Sequence, residues 1–255
     1  MLSVFKAGTH LVRQLLRDLT GLPFYEPPIV KGRVDYRDPA QLHFVPGHFY
    51  SWHLVPTPPI RAALIAANAR PILVMRNVFD LAVSMYHHFA DNIDADIGRG
   101  RDVEHHFRAI SKDEGLDAII TGMTRPDFRW RGLGPQAEHM VHMFELAAAL
   151  PCHVTSYERV TADKAGELVA MAGFLGIELP EQRKAAIVAA SSFGAMRTQA
   201  LAAGHGSHFR RGQARGHTDE LLPRHVAMIR EVIAKEAPEL PRWVERTGFH
   251  ELLAE

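Results

Sequence analysis

Cysteine is almost missing from this chain. Cys152 stands alone in 255 residues, so no disulfide can form within it. Stability must come from a buried core, as expected in a reducing compartment. Long apolar runs are missing too. No segment approaches the ~20 apolar residues that cross a bilayer. The first residues lack the basic stretch, the unbroken apolar run and the small-residue cleavage site of a secretory leader. A cytoplasmic location is the expectation. Neither charge is in excess, since 29 Lys and Arg balance 29 Asp and Glu. A general nucleic-acid coat is therefore not expected, although a balanced total still allows one local basic pocket. The sequence shows no internal repeat and no low-complexity tract.

What is present suffices for a sizeable core. Hydrophobic residues make up 47% of the chain, and the length suits a single domain over residues 1–255. The apolar run 2–5 reads as a short buried strand. Over residues 9–20, Leu11, Val12, Leu15, Leu16 and Leu19 recur at helical spacing, and Gly21 and Pro23 end the helix. Residues 23–40 read as loop and 42–50 as a strand with a Pro-Gly interruption. A helix over 60–69 precedes the apolar strand 71–77, which ends in Arg76 and Asn77. A helix over 79–89 follows. Residues 91–134 are polar and Gly-rich and read as a substrate-side insertion or lid with short helices at 104–110 and 114–121. Then come helix 135–149, strand 152–157, helices 161–175 and 181–190, a loop over 198–222 and a helix over 222–236. Strands alternating with helices predict an α/β fold with a parallel sheet. Ligands of such sheets bind at the carboxyl ends of the strands, where Lys6, Arg76 and Tyr157 are expected.

Three stretches invite an anion. In Lys6-Ala7-Gly8-Thr9 a lysine precedes a glycine that permits close backbone approach, and a hydroxyl opens a helix. The spacing is not that of a Walker A loop; the plainer alternative is a strand–helix turn with a solvated lysine. Arg76 ends an apolar strand, where a guanidinium needs a partner, and Ser84 sits on the next helix. A structural pair between Arg76 and Asp80 is the alternative there. In 209-FRRGQARG-216 two arginines precede a glycine, suited to bidentate capture of a phosphate or to solvation as a basic loop.

Taken in order, these stretches resemble the PAPS-dependent sulfotransferases. The family's P-K-S-G-T-T-W loop is matched by 5-FKAGTHL-11. Its R-N-P-x-D-x-x-V-S-x-Y-H-x-F segment is matched by 76-RNVFDLAVSMYHHF-89 at Arg76, Asn77, Asp80, Ser84, Tyr86 and Phe89. The pair 157-YE-158 with 174-FLGI-177, the stretch 192-SFGAM-196 and 209-FRRG-212 follow in register over nearly the whole chain. Phe5, His10 and Leu11 depart from the family letters, and its G-D-W-K is absent near Gly216-His217-Thr218.

The resemblance implies a three-layer, P-loop-like α/β fold, a central parallel sheet flanked by helices. It implies transfer of a sulfuryl group from PAPS, with PAP as product and no metal, to a hydroxyl or amine of a small-molecule or glycan acceptor. Lys6 is implied as the cation at the leaving oxygen. Ala7, Gly8, Thr9, His10 and Leu11 would hold the 5′-phosphate. Arg76, Ser84, Arg210, Arg211 and Gly212 would hold the 3′-phosphate, with Tyr157, Ser191 and Phe193 near the adenine. Many members carry a histidine 23 residues before the strand-end arginine. His53 has that spacing to Arg76, and His48 serves instead if the intervening loop is longer. The two readings that compete are a small-molecule kinase of P-loop ancestry and a non-catalytic nucleotide-binding protein of the same fold. Acceptor identity and oligomeric state stay open.

Overall fold

The computed structural model describes residues 1–25, 35–91, 100–126, 128–202 and 214–255. The strands are β1 (Leu2–Ser3), β2 (Phe24–Tyr25), β3 (Phe49–Tyr50), β4 (Ile72–Met75), β5 (Met123–Thr124), β6 (Arg129–Trp130) and β7 (His153–Ser156). The helices are α1 (Thr9–Thr20), α2 (Pro58–Ala66), α3 (Val78–Asp91), α4 (Gly100–Ala109), α5 (Lys112–Thr121) and α6 (Gly134–Ala149). They continue as α7 (Tyr157–Ala162), α8 (Lys164–Leu175), α9 (Glu181–Ala190), α10 (Phe193–Ala202), α11 (Pro223–Glu236) and α12 (Leu240–Thr247). This is an α/β fold with a central parallel sheet flanked by helices, as expected. The described residues fall into two compact units, Met1–Arg76 with His139–Ala195, and Asn77–Glu138 with Met196–Glu255.

The first unit holds the sheet. β1 and β7 flank β4 in parallel, with Ser3 opposite Val74 and Met75 opposite Ser156. β2 and β3 pair in parallel as well. A parallel bridge from Trp52 to Leu2, with Ser3 N–H donating to the Trp52 carbonyl at 3.2 Å, carries the segment after β3 onto β1. β4 is apolar throughout and fully buried, as a strand covered on both faces must be. The apolar stripe of α1 (Val12, Leu15, Leu16 and Leu19) is buried, and α1 packs on α8 and α9. The paired strands of this unit all run parallel, so Lys6, His53, Arg76 and Tyr157 each follow a strand or strand-like segment at its carboxyl end.

The second unit is helical, with α4 and α5 packed on α3 and α11 on α5. Asn77 starts α3: its Oδ1 accepts from Phe79 N–H at 2.9 Å and Asp80 N–H at 3.0 Å, and its Nδ2 donates to the carbonyls of Glu251 and Ala254. Within the expected 91–134 insertion, β5 and β6 form an antiparallel hairpin that apolar spacing does not announce.

Several boundaries differ from the sequence expectation. The strand expected at 42–50 shrinks to β3, because Pro46 lacks an N–H and Gly47 takes φ 73°, which breaks any ladder there. The helix expected at 161–175 is cut at Asp163, whose carboxylate accepts from Gly166 N–H at 2.9 Å and caps α8 as a new start. α10 occupies part of the stretch expected as loop from 198. α12 follows α11 where no helix was expected. The Arg210-Arg211-Gly212 expectation and most of residues 23–40 that precede Asp35 lie outside the described residues.

Candidate active site

The turn after β1 is a strained one. Lys6 adopts φ 65° and Gly8 φ 83°, the left-handed region that costs a side chain with a Cβ about 1–2 kcal/mol. Gly8 is the N-cap of α1, and among the described residues no side chain caps that helix. The first N–H groups of a helix have no partner within it, so the start of α1 offers backbone donors and the positive end of the helix dipole. Ala7 stands apart from this set, since its N–H donates to the Val4 carbonyl at 3.1 Å. Of the five loop residues expected to hold a phosphate, it is the N–H groups of Gly8, Thr9, His10 and Leu11 that begin the helix.

Glycine at position 8 is also required by its neighbour. A Cβ there would lie 2.5 Å from Cδ2 of Tyr157. That ring, at the end of β7, has the Arg76 guanidinium on it at 4.5 Å from the centroid. Arg76 in turn donates from Nη1 to the Lys6 carbonyl at 3.0 Å. Three strand ends are thereby tied together: the lysine turn, the aromatic ring and the arginine. The Nε of Arg76 is buried and lacks a partner among the described residues. Burying a guanidinium N–H without an acceptor is costly. Asp80, the alternative partner weighed for Arg76, has its carboxylate engaged in the second unit by the His217 ring at 2.9 Å and by the N–H groups of Arg215 and His217.

His53 lies beside β1. Its Nδ1 is 2.9 Å from the Ser3 carbonyl and 3.2 Å from Ser3 Oγ. A carbonyl only accepts, so Nδ1 carries the proton and Nε2 keeps its lone pair. Phe5, Tyr36 and Trp52 surround the ring with centroids 5.2, 6.3 and 6.2 Å away. Burial, with help from the Arg13 and Lys6 cations and against the Ser3 bond, pushes its pKa down to about 4. The imidazole is therefore neutral at physiological pH. His48 sits exposed in the turn before β3, with Nδ1 3.1 Å from the Pro46 carbonyl.

The other expected residues have plain local settings. Ser191 is buried at the end of α9, its hydroxyl donating to the Val188 carbonyl at 3.1 Å and its own carbonyl accepting from Lys164 Nζ at 2.6 Å. Phe193 opens α10 and is half-buried. Ser84 is half-buried on α3 in the second unit. Among the described residues no group of three or more His, Cys, Asp or Glu gathers that would hold a metal ion, and no helix is long and apolar enough to cross a membrane.

Two residues of this site were not singled out from the sequence. Ser3 is wholly buried, with Oγ 2.9 Å from Thr9 Oγ1. Arg13 is buried on the inner side of α1, its Nε donating to Ser51 Oγ at 2.6 Å. The available signal was a polar side chain where an apolar one was expected, inside a core strand and on an otherwise apolar helix stripe.

A sulfotransferase-domain family model matches residues 2–241. A mouse sulfotransferase, SULT7A1, solved in complex with PAP, superposes with a TM-score of 0.66 at 18% identity, over 96% of this chain and 86% of that one. Retinol dehydratase in complex with androsterone and inactive cofactor PAP gives 0.63 at 14% identity, over 92% and 79%. The same enzyme with retinol and PAP gives 0.57 at 15%, over 92% and 81%. A search of curated proteins returned no match.

Proposed function

Because the chain belongs to the sulfotransferase family, and its reaction is sulfuryl transfer from PAPS, we propose how its own residues divide that task. The observation that carries the proposal is the tie among three strand ends: Arg76 bonded to the Lys6 carbonyl and stacked on the Tyr157 ring that abuts Gly8. It joins a helix N-terminus that, among the described residues, no side chain caps to a half-buried arginine whose buried Nε lacks a partner among those residues. Such a pair of anion sites suits the two phosphates of an adenosine 3′,5′-bisphosphate.

PAPS supplies a sulfuryl group already joined to a phosphate leaving group. The backbone N–H groups at Gly8, Thr9, His10 and Leu11 and the Thr9 hydroxyl hold the 5′-phosphate. Lys6 brings a point charge to the oxygen on which negative charge develops, an effect strongest in a site shielded from water. Arg76 holds the 3′-phosphate, with Ser84, Arg210, Arg211 and Gly212 assigned to the same phosphate by the family resemblance alone. Tyr157, Ser191 and Phe193 are assigned to the adenine on the same ground. His53 takes the acceptor proton at Nε2, and its lowered pKa keeps that atom unprotonated at neutral pH. The local bond of His48 to Pro46 favours His53 for this role.

The acceptor is a small molecule bearing a hydroxyl. The rings of Phe5, Tyr36 and Trp52 around His53 favour a flat or apolar flank beside that hydroxyl. This setting admits a sterol- or polyene-like alcohol, or a sugar stacked on an aromatic face. The lone cysteine supports a reducing, cytoplasmic setting. The test is sulfuryl transfer from labelled PAPS to a panel of sterol, polyene, phenol and sugar alcohols by the wild type and His53→Asn. Transfer to at least one alcohol by the wild type, lost in the variant, is expected. PAP binding without transfer to any acceptor favours the non-catalytic reading, and nucleotide turnover with ATP alone favours the kinase.

A further inference from the structure

Ser3, Thr9 and His53 form a continuous line of hydrogen bonds under the lysine turn. Ser3 and Thr9 are both buried. Directions along the line follow from what each atom is able to do. His53 Nδ1 faces the Ser3 carbonyl at 2.9 Å, an atom that only accepts, so Nδ1–H donates. Ser3 Oγ, 3.2 Å from the same Nδ1–H, then accepts there as well. The Ser3 hydroxyl is wholly buried, and once Nδ1–H donates to it Thr9 Oγ1, at 2.9 Å, is the partner left among the described residues for its own proton, so Ser3 donates to Thr9. Thr9 Oγ1 accepts that bond, which leaves its own proton to point onward from the first turn of α1.

We infer that Ser3 is a positioning residue that couples the base to the phosphate cradle through a one-way hydrogen-bond relay, His53 to Ser3 to Thr9 to the 5′-phosphate. This rests on the assignment of His53 as base. No proton passes along the relay. When Nε2 takes the acceptor proton, that proton stays there, and Nδ1–H becomes a stronger donor. The Ser3 hydroxyl is polarised in turn, and Thr9 donates more strongly to the phosphate at the moment its charge grows. Chains of hydrogen bonds in a buried setting strengthen one another in this manner. The charges around the ring are Arg13 on α1 and Lys6 in the turn, with His139 on α6 in electrostatic reach. Both cations oppose protonation of His53, and the relay supplies part of the stabilisation that offsets them.

Ser3→Ala isolates the hydroxyl, because the backbone carbonyl that fixes the His53 tautomer remains. The readouts are kcat and KM for PAPS, PAP affinity by calorimetry, and the ¹⁵N resonance of His53 Nδ1, assigned by its loss in His53→Asn. Expected is a kcat about five- to tenfold lower, the effect of one lost hydrogen bond felt in the transition state. KM for PAPS and PAP affinity change little. PAP shifts the Nδ1 resonance in the wild type but not in Ser3→Ala, and Ser3→Thr restores both properties. Should alanine fail to fold, Ser3→Cys, a weaker donor of similar size, is expected to show the same split of kcat against KM. Wild-type kcat and a retained PAP-induced shift in Ser3→Ala, with His53→Asn inactive, overturn the relay and spare the base. Loss of PAP affinity in proportion to kcat also overturns it and makes Ser3 part of the cradle alone. Full activity of His53→Asn overturns the base assignment and the relay with it.

Discussion

Replacing Gly8 by alanine perturbs the turn at the point where three strand ends meet. Two costs add. The residue sits at φ 83°, and a Cβ in the left-handed region costs about 1–2 kcal/mol. The added Cβ also meets Tyr157 Cδ2 at 2.5 Å, and forcing a packed ring aside costs about 1–3 kcal/mol. Gly8→Ala should therefore lower unfolding stability by about 2–5 kcal/mol. Gly21 supplies the control. It has φ 71° and nothing within 4 Å of a built Cβ, so Gly21→Ala should show the backbone cost alone, about 1–2 kcal/mol. Urea unfolding of the two variants measures the difference, which belongs to the ring. Adding Tyr157→Ala to Gly8→Ala should remove the overlap, so the two changes should be non-additive. Because Tyr157 carries Arg76 on its face, PAP affinity should fall in Gly8→Ala and not in Gly21→Ala. Equal stability losses in the two glycine variants, with equal PAP affinity, would refute the proposed packing of turn, ring and arginine.

Lys6→Ala should abolish sulfuryl transfer while the circular dichroism spectrum and unfolding midpoint stay near wild type; substantial turnover would remove Lys6 from the leaving oxygen. The pH dependence has a definite sign. Burial lowers His53 to about 4 and His139 to about 3, against about 6.5 in the unfolded chain. Below that value the unfolded state binds more protons than the folded one, so stability is fully present above pH ~6.5 and is lost progressively as pH falls toward 4. A melting temperature that is flat from pH 7.5 down to 4.5 would contradict this. For the same reason the acid limb of kcat/KM should fall near pH 4 rather than near the ordinary ~6.5 of histidine.

Much of this site was legible because its residues sit where pattern and chemistry conflict. A lysine, a glycine and a threonine between an apolar strand and an apolar-striped helix mark the turn, and α1 begins and ends where the sequence places it. Arg76 after four apolar residues marks the end of β4. The pairings within the site were not legible, since they depend on which strands lie side by side. Spacing to Arg76 left His48 and His53 both open; it is the bridge from Trp52 to Leu2 that sets His53 against Ser3. Ser3 passed for a core-strand residue because its partners lie six and fifty residues away. α10 and α12 escaped notice for a different reason. α10 buries only Met196 among its side chains and carries no apolar stripe, while α12 has a buried face of Leu240 and Val244 but spans little more than two turns, too short for spacing to announce it.

The central claim is that Lys6 and Arg76 serve opposite phosphates of one nucleotide. Calorimetric titration of the wild type and Arg76→Ala with PAP and with AMP, which lacks the 3′-phosphate, tests it most directly. The wild type should bind PAP far more tightly than AMP. Arg76→Ala should lose about 2–5 kcal/mol toward PAP, as for a buried charge-assisted contact, and little toward AMP. Equal affinity of the wild type for the two nucleotides, or an Arg76→Ala variant that still prefers PAP as strongly, would contradict it.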